Sequence, residues 1–274
     1  MFLAAVIQLN STSNGDVNLQ AAQSLIERAA AYGAQLVATP ETTNFVGSLA
    51  EQTRHAETLN GPTCTAFSQL ASRLGIYLLL GSFMEKTQDP TRAYNTSVLF
   101  QPNGSLLAAY RKIHLFDVEL SERMNFQESA NVLPGNKLEV ATTPLGRLGM
   151  SICYDLRYSR MYWSLVDQGA EILLIPSAFT SATGKDHWEP LLRARAIEFQ
   201  AYVLAPNQWG RHDELGKRES HGHSMVVDPW GQVIASVPNG AGIALAEIDL
   251  ARVHQVRQKI PMTSKAEKIS TPVC

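Results

Sequence analysis

Three side chains of this chain would combine into one chemistry if the fold brought them together. They are a thiol, a carboxylate and an ammonium, each at the end of an apolar run. Cys153 follows Leu148-Gly149-Met150-Ser151-Ile152, Glu41 follows Leu36-Val37-Ala38-Thr39-Pro40, and Lys112 follows Leu106-Leu107-Ala108-Ala109-Tyr110-Arg111. A thiol that attacks a carbonyl carbon needs a base to take its proton, and a cation or N–H donors where the oxyanion develops. Cys153 is the sharpest of the three. Tyr154-Asp155-Leu156-Arg157 reads as the opening of a helix, so backbone N–H groups and the helix dipole would favour the thiolate. A sharp strand-to-helix turn would also expose the sulfur. Position alone leaves plainer readings open: Cys153 as a buried strand-end thiol, Glu41 and Lys112 as solvated loop charges. A second acid, Glu128 in Phe126-Gln127-Glu128-Ser129, is more ambiguous still.

The elements that must position these groups alternate between strand and helix. Phe2–Gln8 and Leu36–Thr39 read as strands on either side of a helix over Asp16–Tyr32, whose apolar positions Leu19, Ala22, Ile26 and Ala29 form one stripe and whose stop is Gly33. Pro62–Leu74 reads as a helix closed by Gly75, and Ile76–Gly81 as a strand. Pro102-Asn103-Gly104 signals a hairpin between Tyr94–Phe100 and Ser105–Tyr110. Gly146 does the same between Leu138–Thr143 and Leu148–Cys153. A helix near Tyr158–Gln168, a strand over Glu171–Ile175, a helix over His187–Gln200 and a strand over Tyr202–Pro206 follow. Met225–Val227, Val233–Val237 and Ala244–Ile248 close the pattern. Such a mixture of βα units and hairpins predicts a mixed sheet, or two sheets, covered by helices. No repeat or linker divides residues 1–274, which we read as a single domain.

Composition narrows the function classes. The formal net charge is −2, from 23 basic and 25 acidic residues, which gives no electrostatic case for nucleic acid or an anionic membrane as partner. The apolar N-terminal run is too short to span a bilayer. Cys64, Cys153 and Cys274 fit neither a disulfide framework nor a zinc spacing, so reduced thiols and a cytoplasmic location are the simplest expectation. Cys64 reads as packing and Cys274 as a terminal thiol. His187, His212, His221 and His223 lack a metal-binding pattern, and no phosphate loop, dinucleotide fingerprint or Gly-x-Ser-x-Gly occurs. We infer no metal and no cofactor. Arg195 shares a helical face with Trp188, Leu191, Leu192 and Phe199, and a charge there must be paired, with Glu198 as the nearest candidate.

Pro40-Glu41, Arg111-Lys112-Ile113-His114-Leu115 and Ile152-Cys153-Tyr154-Asp155-Leu156-Arg157 resemble, in order, the three signature blocks of the nitrilase superfamily. The likeness continues through Gly169–Leu173, Pro176-Ser177-Ala178-Phe179, Thr183–Glu189, Leu192–Glu198 and Gly222–Gly231, nearly the whole chain. The resemblance implies a four-layer αββα sandwich. It also implies Glu41 as general base, Lys112 as electrostatic stabiliser and Cys153 as nucleophile, with Glu128 as an additional glutamate beside the triad. A carboxylate next to Glu41 would raise the proton affinity of the pair. The family typically pairs subunits through helices near the nucleophile, so a homodimer or larger homo-oligomer is expected, with Tyr158-Ser159-Arg160-Met161-Tyr162-Trp163 as the interface helix.

The implied activity is hydrolysis of a small linear amide through a thioester. Cys-Tyr-Asp-Leu-Arg resembles the amidase homologues, whereas true nitrilases follow the nucleophile with Trp-Glu. Within the family, Gln208-Trp209-Gly210-Arg211-His212 and His221–Gly231 look most like the branch acting on deaminated glutathione. Tyr154, Arg157, Ser177, Phe179 and Arg211 are the residues expected to bind substrate. An ω-amidase acting on 2-oxoglutaramate, an N-carbamoyl amino acid amidase and a catalytically silent binding protein on the same fold are the alternatives.

Overall fold

A computed structural model describes residues 1–121, 124–212 and 218–262. The strands of the first half are β1 Phe2–Gln8, β2 Leu36–Ala38, β3 Tyr77–Lys86, β4 Ala93–Phe100, β5 Leu106–Arg111, β6 Asp117–Ser121, β7 Met124–Gln127 and β8 Val132–Leu133. Then come β9 Val140–Thr143, β10 Gly146–Met150, β11 Ile172–Leu174, β12 Tyr202–Ala205, β13 Trp209–Arg211, β14 Glu219–His221, β15 Met225–Val227, β16 Val233–Ser236 and β17 Gly242–Ile248. The α-helices among these residues are α1 Gly15–Ala31, α2 Leu49–Arg54, α3 Pro62–Leu74, α4 Ser159–Asp167, α5 Ser181–Phe199 and α6 Leu250–Lys259.

Two large sheets result. One runs β17-β1-β2-β3-β4-β5, with β8 added beside β4; the other runs β16-β15-β12-β11-β10-β9. Strands joined through helices pair in parallel, as in β1–β2–β3 and β10–β11–β12. Strands joined by tight turns pair antiparallel, as in β3–β4–β5 and β9–β10. Gly104 and Gly146 take the positive φ, 83° and 111°, that these turns require.

The two-residue period of a strand sorts side chains between layers. Ala4, Val6, Leu36, Ala38, Leu79 and Leu99 share one core with Leu148, Ile172 and Val203 of the opposite sheet. Their neighbours Ala5, Ile7, Val37, Leu78 and Val98 point the other way, against Ala22 and Ile26 of α1 and Phe67 of α3. Tyr162 and Leu165 of α4 and Trp188, Leu192 and Phe199 of α5 join the core of the second sheet, with α5 packing on β12. The layers are therefore helix, sheet, sheet, helix, the four-layer αββα arrangement.

Local signals set most boundaries. Pro62 opens α3 and Gly75, at φ 66°, closes it. The fourth helix begins only at Ser159, because Cys153–Arg157 forms a 3-10 turn instead of the helix expected there. Helix α5 starts at Ser181, six residues before the apolar pattern begins, and contains Gly184 and Pro190. Packing overrides propensity there: a Cβ at Gly184 would run into the His221 ring. The helix ends on Gln200 in the left-handed region, at φ 49°. Arg195 is buried and paired as expected, its Nη1 2.6 Å from Glu198 Oε2, while its Nε donates to the Leu156 carbonyl at 3.0 Å. Cys64 is buried in the α3 core, and Cys274 lies outside the described residues. In α4, Met161 and Tyr162 turn into the core. Only Arg160 and the partly covered Trp163 of that aromatic run remain for a partner, together with the exposed Tyr158 just before the helix.

Candidate active site

Glu41 lies on the turn after β2, and the turn exists because its neighbour is a glycine. A Cβ at Gly81 would strike the backbone oxygen of Thr39, and the Gly81 N–H donates to Thr39 Oγ1 at 3.0 Å. Thr42, next to Glu41, sits at φ 53° with its N–H held by Ser82 Oγ at 2.9 Å. The Gln208 carboxamide donates to the Glu41 carbonyl at 2.9 Å.

Lys112 lies just past β5. Its N–H donates to the Asn95 carbonyl at 2.9 Å, and its own carbonyl accepts from the Gly135 N–H at 2.8 Å. Cys153 begins the 3-10 turn at φ 47°, donating its N–H to the Pro176 carbonyl at 2.9 Å. A β-substituted residue in the left-handed region carries strain, which surrounding contacts must hold. Asp155 holds it. Fully buried, Asp155 accepts from the Ile152 N–H (2.9 Å), the Tyr110 hydroxyl (2.7 Å) and the His114 N–H (3.0 Å), with His114 Nδ1 at 2.7 Å. One carboxylate thus ties the Cys153 turn to the segment carrying Lys112.

The turns bring four side chains together. Lys112 Nζ lies 2.9 Å from Glu41 Oε1 and 2.9 Å from Glu128 Oε2. Glu41 Oε2 accepts the Ala178 N–H at 2.8 Å, and the Cys153 thiol is close enough to the same carboxylate for each to shift the other's proton affinity. Asn95 Nδ2 donates to Glu41 Oε1 at 2.9 Å and to Glu128 Oε1 at 3.4 Å, and the Phe116 N–H donates to Glu128 Oε2 at 2.6 Å. Glu41, Lys112, Glu128 and Cys153 are all buried.

Electrostatics fix the resting protonation. Burial pushes the Glu41 carboxyl up, but the Lys112 charge, the hydrogen bonds from Lys112 and Ala178 and the nearby Cys153 thiol together outweigh it, so it stays below the usual carboxylate range. The expectation that Glu128 raises the affinity of Glu41 for a proton is therefore corrected, because Lys112 stands between the two acids and favours the charged form. Burial alone would lower Lys112, yet Glu128 and Glu41 hold it well above its ordinary value. Burial, then the Glu41 charge, pushes the Cys153 thiol well up against the smaller pull of Lys112. The helix-dipole expectation of a resting thiolate is corrected too: the sulfur keeps its proton and a carboxylate stands ready to take it.

The four groups form the floor of a cleft of about 1120 Å³. Tyr154, Arg157, Phe179 and Arg211 line it as expected. The Arg157 guanidinium lies 5.3 Å from the Phe179 ring centroid and 5.9 Å from that of Tyr154. Ser177 does not line the cleft. It is fully buried, its Oγ donating to the Ile175 carbonyl at 3.2 Å, so its expected substrate contact is corrected to a backbone-bracing one. The next two residues of that segment do the work, Ala178 through its N–H and Phe179 through its ring. Sequence reasoning did not single out Asn95, Asp155, Tyr110 or the cleft-lining Gln52 and Arg218. Asp155 had a signal in its adjacency to Cys153. The others are recruited from distant elements, and no local pattern marks them.

A family model for carbon-nitrogen hydrolases matches residues 3–258. The deaminated glutathione amidase of Mus musculus is 47% identical over 265 residues, covering 95% of this chain and 81% of the relative. Omega-amidase NIT2 of Danio rerio is 38% identical over 264 residues, covering 96% and 94%. Among solved structures, Saccharomyces cerevisiae Nit3, a member of branch 10 of the nitrilase superfamily, superposes with a TM-score of 0.85 at 32% identity, over 96% of each chain. With the fold, the match along the chain and these identities in agreement, the chain belongs to the carbon-nitrogen hydrolase family, the nitrilase superfamily.

Proposed function

We propose that Glu41, Lys112 and Cys153 form the catalytic triad of a cysteine amidohydrolase whose substrate is deaminated glutathione. The observation that carries the mechanism is that Cys153 and Glu41 are buried in one cluster, the thiol held protonated and the carboxylate ionised, with Lys112 bonded to that carboxylate. Glu41 takes the thiol proton as sulfur attacks the amide carbon. Negative charge develops on the carbonyl oxygen, and two donors serve it: the ammonium of Lys112, and the N–H of Tyr154 in the first turn after the nucleophile, where N–H groups lack intrahelical acceptors. Protonated Glu41 then gives its proton to the departing amine nitrogen as the carbon–nitrogen bond breaks. Water enters, Glu41 removes its proton, and hydroxyl attack on the thioester releases the acid and returns the thiol. Glu128 shares the Lys112 charge and keeps the ammonium in place. The completeness of this constellation weighs against a silent binding protein.

The substrate assignment rests on the relatives that carry this name and on the cations of the cleft. Deaminated glutathione bears two carboxylates and a 2-oxo group. Arg157 and Arg211 line the cleft and supply charge and donors for them. The test is kcat/KM on deaminated glutathione against 2-oxoglutaramate, with N-carbamoyl amino acids and nitriles in the same panel. Release of 2-oxoglutarate and cysteinylglycine should dominate. A tenfold preference for 2-oxoglutaramate, about 1.4 kcal/mol in transition-state binding, overturns the assignment in favour of an ω-amidase.

We further propose that the protein works as a homo-oligomer in the cytoplasm, using the outer face of α4 and α5, where Ile197 is exposed. A monomer by light scattering at micromolar concentration overturns the first part.

A further inference from the structure

The cleft wall holds a side chain whose state the reaction above does not explain. Gln52, on the short helix α2, is 2% exposed and lines the cleft. Neither its Oε1 nor its Nε2 has a hydrogen-bond partner. Its backbone is conventional, since the N–H donates to the Ser48 carbonyl at 2.9 Å in a helix opened by the Ser48–Glu51 capping box. Most buried polar groups in folded chains are satisfied, and each exception calls for a cause. Leaving both ends of a buried carboxamide unpaired costs stability that a leucine or methionine would not.

Its place relative to the reacting atoms follows from strand pairing. Lys112 bonds to the Asn95 carbonyl on β4, and Asn95 faces Met84 on β3. Met84 and Gln52 line the same cleft, and α2 packs on β3. Two strand spacings, about 10 Å in all, separate the Lys112 backbone from that of Met84. Helix α2 thus puts Gln52 on the β3 side of the cleft, and a span of about 10 Å is covered by about three residues of extended chain.

We infer that Gln52 is a specificity-determining residue, which pairs with a second peptide group of the substrate, one residue beyond the scissile amide. A carboxamide offers one donor group and one acceptor. A carboxylate would satisfy only its Nε2 and an ammonium only its Oε1. The two poles of a single trans peptide group point to opposite sides, but its N–H and the carbonyl oxygen that follows it across one extended residue lie on the same edge and satisfy both. The dry surroundings of Gln52 make the pairing selective: a substrate without the second amide leaves both atoms as they are, whereas a substrate with it removes two unpaired buried groups at once. This rests on the proposed substrate, in which the cysteinylglycine arm carries that peptide group and 2-oxoglutaramate does not.

The experiment is steady-state kinetics of the full chain and of Gln52→Met and Gln52→Glu, on deaminated glutathione and on 2-oxoglutaramate. In Gln52→Met, kcat/KM for the long substrate should fall at least tenfold more than for the short one, mainly through KM, while the melting temperature holds or rises. Gln52→Glu keeps acceptors but loses the donor, and should show the same substrate-selective loss. Equal losses on both substrates, or no loss on either, overturn the inference. A wild-type preference for 2-oxoglutaramate is a different failure, since it removes the substrate assignment. A loss in Gln52→Met confined to the longer of two amides still supports the subsite in that case.

Discussion

At the floor of the cleft, Lys112 is held by three carboxylate oxygens, from Glu41 and Glu128, at 2.9–3.1 Å. Along the wall, Gln52 has no partner for either polar atom, and Arg211 reaches solvent. Both regions are made of polar groups set against apolar surroundings, yet one is satisfied and the other waits. The floor has to stabilise charge that develops within the reaction, so its dipoles must already be aligned and must not reorganise. The wall has to distinguish one substrate from another, and an unpaired buried group does that because only the right ligand completes it. Asn95 bridges the two. Its Nδ2 braces both acids while its Oδ1, also buried, lacks a partner.

The largest break in this comparison is Cys153→Ala. Turnover should fall by roughly 10⁴-fold or more, with stability changed by at most about 1–2 kcal/mol; an active variant ends the nucleophile assignment. Cys64→Ala, in the packed helix α3, should keep most activity. Next is Lys112→Ala, expected to lower kcat by about 10²–10³ and to cost about 3–5 kcal/mol in denaturant unfolding, since two buried carboxylates lose their cation. Lys112→Arg should not rescue it, because a planar fork places charge differently from a point ammonium.

Asp155→Asn tests whether the floor depends on the tie between the Cys153 turn and the Lys112 segment. An amide nitrogen would face donors, costing about 1–3 kcal/mol. Displacement of the nucleophile should lower kcat by about 10–100-fold with KM little changed. The reaction of Cys153 with iodoacetamide should slow in step, and a variant labelled at the wild-type rate would free the turn from this tie.

The pH profile sharpens the floor's side. Glu41 is held below its ordinary range, so kcat/KM should stay level from about pH 6 to 8 and decline only below the usual carboxylate value of about 4.3. The raised thiol adds no descending limb in that span, because it is reactive only as Glu41 accepts its proton. The stability signs follow. Glu41, lowered by folding, contributes stability above its unfolded value that is lost as pH falls through the folded one. Lys112, raised by folding, contributes stability below its unfolded value of about 10.4 that is lost as pH rises through the folded one. An acid limb between pH 6 and 7 would show that the two glutamates share a proton after all. The smallest effect belongs to the rim: Arg211→Ala should raise KM a few-fold, about 1 kcal/mol or less, and the difference should shrink in high salt.

Periodicity and turn chemistry made the scaffold readable from residues alone. Phe2–Gln8, Pro62–Leu74 and Met225–Val227 have the bounds that their apolar patterns suggest. The reactive groups were readable as well, because Glu41, Lys112 and Cys153 each end an apolar strand and stand within signature blocks. Helix α2 was not, since its six residues are too few for a period. Helix α5 was misjudged at its start, where Gly184 opposes helix locally and packing against His221 justifies it.

What the amino-acid order determined by itself is which side chains sit at strand ends and which faces are apolar, because both depend on neighbours within a few residues. The tertiary structure alone decided how those groups behave. The protonation of Glu41 and Cys153 depends on Lys112, brought from 71 residues away in one case. The exclusion of Ser177 from the cleft, and the unpaired state of Gln52 within it, depend on which backbone atoms close around each side chain. Charge, burial and hydrogen-bond satisfaction are properties of a whole neighbourhood, and no stretch of sequence contains one.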